Sequence, residues 1–285
     1  MPVTRILAIT VSLLVYACGS EDEPGRLPQF AMTDNAVQQW RLPDKLKEIS
    51  GLALSSDGRL FAIADEMAVV YEINYSDGKL VRTFALGDPP VPGDFEGIAW
   101  LKDRLYLTTS DGILYSAPES ADGEHVEATR TDTGLGRQCE IEGLAEDAET
   151  DRLFFVCKEL VAGSGFSDPQ IFTWSVADQR MTRSISLPLA DIRRTLDTKK
   201  FSASGIVFDT NNKSFLIVAA RPRSMVEVDM DGRLISARRF SQPGRHRQPE
   251  GIELTSSGKL LIADEGGDGK GRLAVYEPPQ SGESR

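Results

Sequence analysis

The stretch RQPEGIELTSSGKLLIADE, residues 247–265, repeats in close form KEISGLALSSDGRLFAIADE, residues 47–66. Each has a short apolar run opening on a glycine, a polar turn, and a second apolar run rich in strand formers, a pattern that fits two β-strands joined by a tight turn. Three more copies align on the same glycine. The series reads EISGLAL at Gly51, DFEGIAW at Gly97, EIEGLAE at Gly143, SASGIVF at Gly205 and QPEGIEL at Gly251, at intervals of 46, 46, 62 and 46 residues.

Every copy continues into a second run (RLFAIAD, RLYLTTS, RLFFVCK, SFLIVAA, KLLIADE) and a third (VVYEIN, ILYSA, IFTWSV, MVEVDM, LAVYEP), and most have a fourth, such as LVRTFAL. Four antiparallel strands per period of about 46 residues is the signature of a propeller blade, and no long stretch carries a helical period. The expected fold is therefore all-β, a five-bladed β-propeller, with a six-bladed ring as the rival. The long interval is too short for two blades, so its excess reads as a loop insertion around LADIRRTLDTKKF, residues 189–201. The last copy runs out after three strands near Pro278, whereas AVQQWRLP, residues 36–43, is a lone strand. It is expected to close the ring as the outer strand of blade five, because an open edge would otherwise remain. The propeller then spans 36–279, with a tail at 280–285.

The first strand of a blade lies nearest the axis, where a glycine lets neighbouring backbones approach. The residues just before the five glycines, Ser50, Glu96, Glu142, Ser204 and Glu250, are expected to point into the central channel at one height. Two positions earlier on the same face come Glu48, Asp94, Glu140, Ser202 and Gln248. All ten are polar. Carboxylates converging in a narrow channel repel one another, so one or more must stay protonated unless a cation sits between them. Oxygen-only donors, with no His or Cys in the ring, favour calcium over zinc or copper. The alternative is a hydrated channel whose glutamates pair with lysines.

These motifs resemble the SdiA-regulated (YjiK-like) family of bacterial envelope proteins over roughly residues 37–277. That resemblance implies a propeller, often exported, without an established reaction. The order Ser50, Glu96, Glu142, Ser204, Glu250 is also similar to the calcium ring of the animal calcium-dependent apyrases, five-bladed propellers themselves. Outside the ring the likeness is thin: EM at 66–67 stands where that family carries an arginine, which argues against nucleotide hydrolysis.

The ends of the second strands and the loops into the first strands open at the same mouth. They bring candidate water-activating carboxylates, Asp65, Glu66 and Asp264, together with Lys158, Lys199 and Lys200. Arg137, Arg221, Arg223 and Arg245 join them, and with Glu48, Asp94 and Glu140 complete the candidate ligand-binding set. Arginines beside a calcium ion suit a phosphate or carboxylate ligand; the alternative is solvated loop charges paired with nearby acids. Neither His125 nor His246 forms a metal pair in the sequence, and no nucleophile elbow, Walker loop or zinc motif is present.

At the N-terminus, Arg5 precedes the apolar run Ile6 to Tyr16, and LVYACGS follows the layout of an export signal. The run is too short to span a bilayer, and Cys18 after a small residue resembles the lipobox of bacterial lipoproteins. Residues 1–17 are then a signal peptide, Cys18 is the lipidated first residue, and 18–35 form a tether to the membrane. An ordinary secretory signal is the alternative. Gly19 lacks the aspartate of an inner-membrane retention signal, so the outer membrane facing the periplasm is expected in a Gram-negative host, and otherwise the outer face of the cell membrane.

Loss of residues 1–17 removes only Arg5 among charges and moves the formal net charge from −11 to −12, which argues against nucleic acid as a partner. Cys139 and Cys157 fall on successive strands, and a disulfide and two buried thiols remain equally open. A monomer is expected. Three functions fit: a lipid-anchored calcium-binding module for a small anionic ligand, a calcium-dependent hydrolase of phosphate esters (phytase-, esterase- or apyrase-like), or a structural propeller whose outer faces bind proteins.

Overall fold

A computed structural model of the chain describes residues 25–30, 37–240 and 245–278. Cys18, the signal peptide and the tail at 280–285 lie outside the described residues. Five antiparallel sheets stand around one axis, each with its first strand innermost. The inner strands are Ile49–Leu54, Phe95–Leu101, Cys139–Asp147, Gly205–Asp209 and Pro249–Leu254. The ring is therefore five-bladed. Blade one carries an extra short strand, His125–Val126, laid parallel along its outer strand Lys79–Leu86.

Ring closure follows the expected route. Val37–Arg41 pairs antiparallel with Arg272–Tyr276, Val37 opposite Tyr276 and Arg41 opposite Arg272, so the two ends of the chain share blade five. The core lies between blades, where apolar side chains of adjacent sheets interdigitate. Phe154 of blade three packs on Phe208 and Phe215 of blade four at ring-centroid distances of 5.0 and 4.8 Å, and Phe61 stacks on Trp100 between blades one and two at 5.3 Å.

The axial glycines are needed for close approach rather than for an unusual φ. A Cβ on Gly205 would meet the Glu250 carbonyl oxygen at 2.1 Å, and one on Gly97 would meet the Leu144 amide nitrogen at 2.6 Å. In blades one, two and five the residue before the glycine is the extra residue of a β-bulge, between Ile49 and Gly51, Phe95 and Gly97, and Pro249 and Gly251. A bulge bends the strand and re-aims one side chain. The Glu-Gly pair is thus one device, in which the glycine brings the backbones together and the bulge turns the glutamate inward.

The insertion folds as a helix, Leu189–Thr195, and a loop between blades three and four. Leu189, Ile192, Leu196 and Phe201 are buried in the core shared by those blades. Residues 25–30, which the sequence reading assigns to the tether, dock on blade four. The amides of Arg26 and Leu27 donate to the Glu227 carboxylate at 2.8 and 2.9 Å, and the Ser214 and Ser236 hydroxyls donate to the same group at 2.9 and 3.2 Å. Leu27 and Phe30 are buried among Leu216, Met225, Ile262 and Tyr276, which extends the folded unit towards the N-terminus.

Cys139 and Cys157 form a disulfide with Cα atoms 5.7 Å apart. In the ladder Cys139 faces Leu160 and Cys157 faces Ile141; register shifts on either side of Ile141 interrupt the pairing. The bridge closes a separation of 18 residues, for which loop-closure entropy gives about 3 kcal/mol. Replacing both cysteines by alanine is expected to lower the melting temperature by roughly 5–10 °C in calorimetry. An unchanged melting temperature would show the bridge to be without weight.

Candidate functional site

Ser50, Glu96 and Glu250, the axial glycines, and a lower ring of Leu52, Ile98, Leu144, Ile206 and Ile252 line a cavity of about 10 Å³ on the axis. That is room for about one water molecule or ion. The cavity is thus lined by polar and aliphatic residues together.

Burial and mutual repulsion act together on the acids. Glu96 is pushed up to about 9, by burial first and then by Glu142, Asp94 and Glu250. Glu250 is pushed up to about 8 by burial and by Glu142, with a hydrogen bond from Gln248 working the other way. Glu142 rises less, to about 7, because Lys158 offsets part of the burial cost. The Lys158 ammonium donates to Glu142 at 2.5 Å and to Glu140 at 3.0 Å. Burial alone would lower its pKa, but these two carboxylates hold it raised. One of the three ring glutamates therefore has a cation of its own, and Glu96 and Glu250 have none among the described residues.

The two serines differ. Ser204 Oγ donates to the Pro249 carbonyl at 2.6 Å and accepts from the Ala220 amide at 3.1 Å, which ties blade four to blade five. Ser50 Oγ, on a residue only 5% exposed, has no hydrogen-bond partner. An orphaned buried hydroxyl beside two uncompensated carboxylates is costly unless something bridges them. The donors are all oxygen and fit a hard cation. Among the described residues no group of three or more Asp, Glu, His or Cys side chains is placed to hold a metal ion.

Charge divides at the mouth. On blades five, one and two, Asp65 is held up by burial, then by Glu48, Glu66 and Asp94, and Glu265 by burial, then by Glu48 and Asp65. Asp65 Oδ1 is buried without a partner, Glu66 is exposed, and Asp94 accepts a hydrogen bond from Ser110 Oγ at 2.5 Å. On blades three and four basic residues join the acids: Lys158, Lys200 and the inserted Arg193 line one cavity together with Glu159.

The four predicted arginines are spread over blades three, four and five. Arg137 is exposed and faces Asp132 at 3.7 Å; Arg221 and Arg223 lie on blade four, and Arg245 bonds the Tyr276 hydroxyl on blade five. Asp264 is withdrawn from water-activating work. Its carboxylate is 2% exposed, bonded to His246 Nδ1 at 2.7 Å and accepting from the Gln248 amide at 3.3 Å. His246 Nε2 meets the Tyr276 hydroxyl at 2.6 Å. This buried trio is invisible in the sequence because its members are 18 and 30 residues apart. A second acid pair was likewise missed: Glu253, at the far end of the axis, is held well up by burial and by Glu146, and burial pushes Glu146 up to about 7.

Two solved structures are similar in fold. A luciferin-regenerating enzyme aligns over 86% of this chain and 96% of its own at a TM-score of 0.55 and 8% identity. Glutaminyl cyclase from Myxococcus xanthus aligns over 84% and 94% at 0.54 and 13% identity. At such identities the likeness is one of fold. The sequence itself matches the SdiA-regulated family over residues 29–265, from the docked N-terminal segment to the mouth of blade five. With the repeat, the ring and that match in agreement, the chain belongs to the SdiA-regulated family.

Proposed function

We propose that the protein is a lipid-anchored β-propeller of the cell envelope that holds one calcium ion in its axial ring and offers the mouth of that ring to a small anionic ligand. The observation that carries the reading is the orphaned Ser50 hydroxyl beside Glu96 and Glu250, two half-buried carboxyl groups with no ion pair among the described residues. Ser50, Glu96, Glu142 and Glu250 would hold the ion, and Ser204 keeps its structural bonds. Bound calcium would supply the countercharge that the ring lacks and a Lewis-acidic point facing the mouth.

The anchor rests on the sequence around Cys18, and the Cys139–Cys157 disulfide suits an exported protein. The location follows: the outer membrane facing the periplasm in a Gram-negative host, otherwise the outer face of the cell membrane. Cys18→Ser is expected to move the protein from the membrane fraction to the soluble envelope fraction while its melting temperature stays the same. A variant that still partitions with membranes, with no lipid on either form, would contradict the anchor.

A calcium-dependent phosphate-ester hydrolase is the second reading. It is favoured by Asp65, whose raised carboxyl and unpartnered Oδ1 are what a general base needs; the two structural neighbours also bear enzyme names. Calcium-dependent turnover of phytate or a phosphodiester, lost in Asp65→Asn with calcium still bound, would establish it. Absence of turnover leaves the binding module.

A further inference from the structure

The insertion between blades three and four is the one departure from an otherwise regular repeat, with an interval of 62 residues against 46 elsewhere. It builds one wall of a cavity of about 440 Å³. Lys158, Arg193 and Lys200 bring positive charge to that cavity against the single acid Glu159, and Leu189 and Phe201 supply an apolar wall. Arg193 and Lys200 have no side-chain hydrogen bond or ion pair with any described residue, whereas the neighbouring Arg194 is paired with Asp191 at 2.6 Å. With Lys158 already paired to Glu140 and Glu142, Arg193 and Lys200 against Glu159 still leave a positive surplus in a concave site of a chain of net charge −11.

Lys158 belongs to both places. It lines the cavity, and its ammonium is bonded to Glu142 of the ring and to Glu140. A dication entering the ring would compete for the Glu142 carboxylate and release a hydrogen-bond donor towards the cavity. We propose that this cavity binds a small oxyanion, phosphate or carboxylate, bearing an apolar group, and that cation entry into the axial ring frees Lys158 from Glu142 to meet it. Arg193 and Lys200 hold the oxyanion at the rim, and Leu189 and Phe201 take the apolar group. The cavity stands on its own residues; the hand-over of Lys158 rests on the calcium reading of the ring.

Phenyl phosphate is a suitable probe, titrated by calorimetry into the folded protein with calcium present and with chelator. Binding is expected in calcium and is expected to weaken roughly five-fold or more in chelator, within the usual range of coupling between sites. By reciprocity, phenyl phosphate should tighten calcium by the same factor. The double variant Arg193→Ala, Lys200→Ala should lose tenfold or more in phenyl phosphate affinity yet bind calcium normally. Arg183→Ala, on the outer strand of blade three and paired with Asp231, should bind like wild type. Lys158→Met should bind the probe equally with and without calcium. Wild-type affinity in the double variant overturns the cavity, and so does a lack of binding at millimolar probe. Calcium that binds but leaves probe affinity unchanged overturns the hand-over. If no calcium binds, the reading of the ring fails instead, and the double variant alone decides the cavity.

Discussion

Calcium at about a hundred times its Kd is expected to stabilise the folded protein by about 2.7 kcal/mol through mass action, which raises the melting temperature of a chain of this size by roughly 5–10 °C. A chelator should reverse the shift. The same acids set the pH dependence. Glu142, Glu250 and Glu96 titrate at about 7, 8 and 9 in the folded protein, above their ordinary value of 4.5. The cation-free fold therefore holds protons that the unfolded chain gives up. Their contribution to stability is full below about 4.5 and is lost as pH rises towards 9. Glu146 and Glu253, also raised, add to the fall. Saturating calcium should abolish the share that comes from the ring, because bound carboxylates are ionised. The variant Glu96→Gln, Glu142→Gln, Glu250→Gln should ignore calcium and keep a shallower slope, left by the other raised acids, Glu146 and Glu253 among them. Melting curves from pH 5 to 9, with calcium and with chelator, separate these cases.

Truncation at the N-terminus should act in two steps. Removing residues 1–30 strips Leu27 and Phe30 from the core of blades four and five and leaves Glu227, fully buried in the intact protein, without two of its donors. A buried carboxylate losing hydrogen bonds costs about 1–3 kcal/mol or more, and two large apolar side chains add about 1.5–3 kcal/mol each. A marked fall in melting temperature is therefore expected where a passive tether would give none. Removing residues 1–41 should be worse. It deletes the outer strand of blade five, exposes the edge of Arg272–Tyr276, and breaks the bond from Trp40 Nε1 to the Tyr75 carbonyl at 3.1 Å. Unpaired edges recruit other chains, so insoluble or aggregated protein is expected. Equal melting temperatures for the full domain and both truncations would contradict the shared blade and the docked segment together.

The repeat made the architecture legible. A glycine recurs at one height of every inner strand, where at Gly97 and Gly205 a Cβ would run into the neighbouring backbone, so blade number could be counted from Gly51, Gly97, Gly143, Gly205 and Gly251. Ser50, Glu96 and Glu250, which line the axial cavity, came with them. Less legible was what each one does. Ser50 and Ser204 occupy equivalent places, but only Ser204 finds the Pro249 carbonyl and the Ala220 amide within reach, and those partners belong to a neighbouring strand and a neighbouring blade. Alternation along a strand does not reveal the bulges that aim Ser50, Glu96 and Glu250. The pairing of Lys158 with the ring and the trio of Asp264, His246 and Tyr276 are likewise tertiary facts. The docked segment did leave a trace: Leu27 and Phe30 are apolar residues in a stretch otherwise rich in Gly, Pro and charge.

The direct test of the axial ring is a calcium titration of the chelator-treated protein near pH 7, run by calorimetry in buffers of different ionisation enthalpy so that bound ions and released protons are counted together. Glu96 and Glu250 hold protons at that pH and must release them to ligate. One calcium per chain with net proton release is expected, with both signals absent from the triple glutamine variant. Silence in the wild-type protein would contradict the calcium ring, and so would calcium binding without proton release or binding unchanged in that variant; the ring would then be a protonated, hydrated channel.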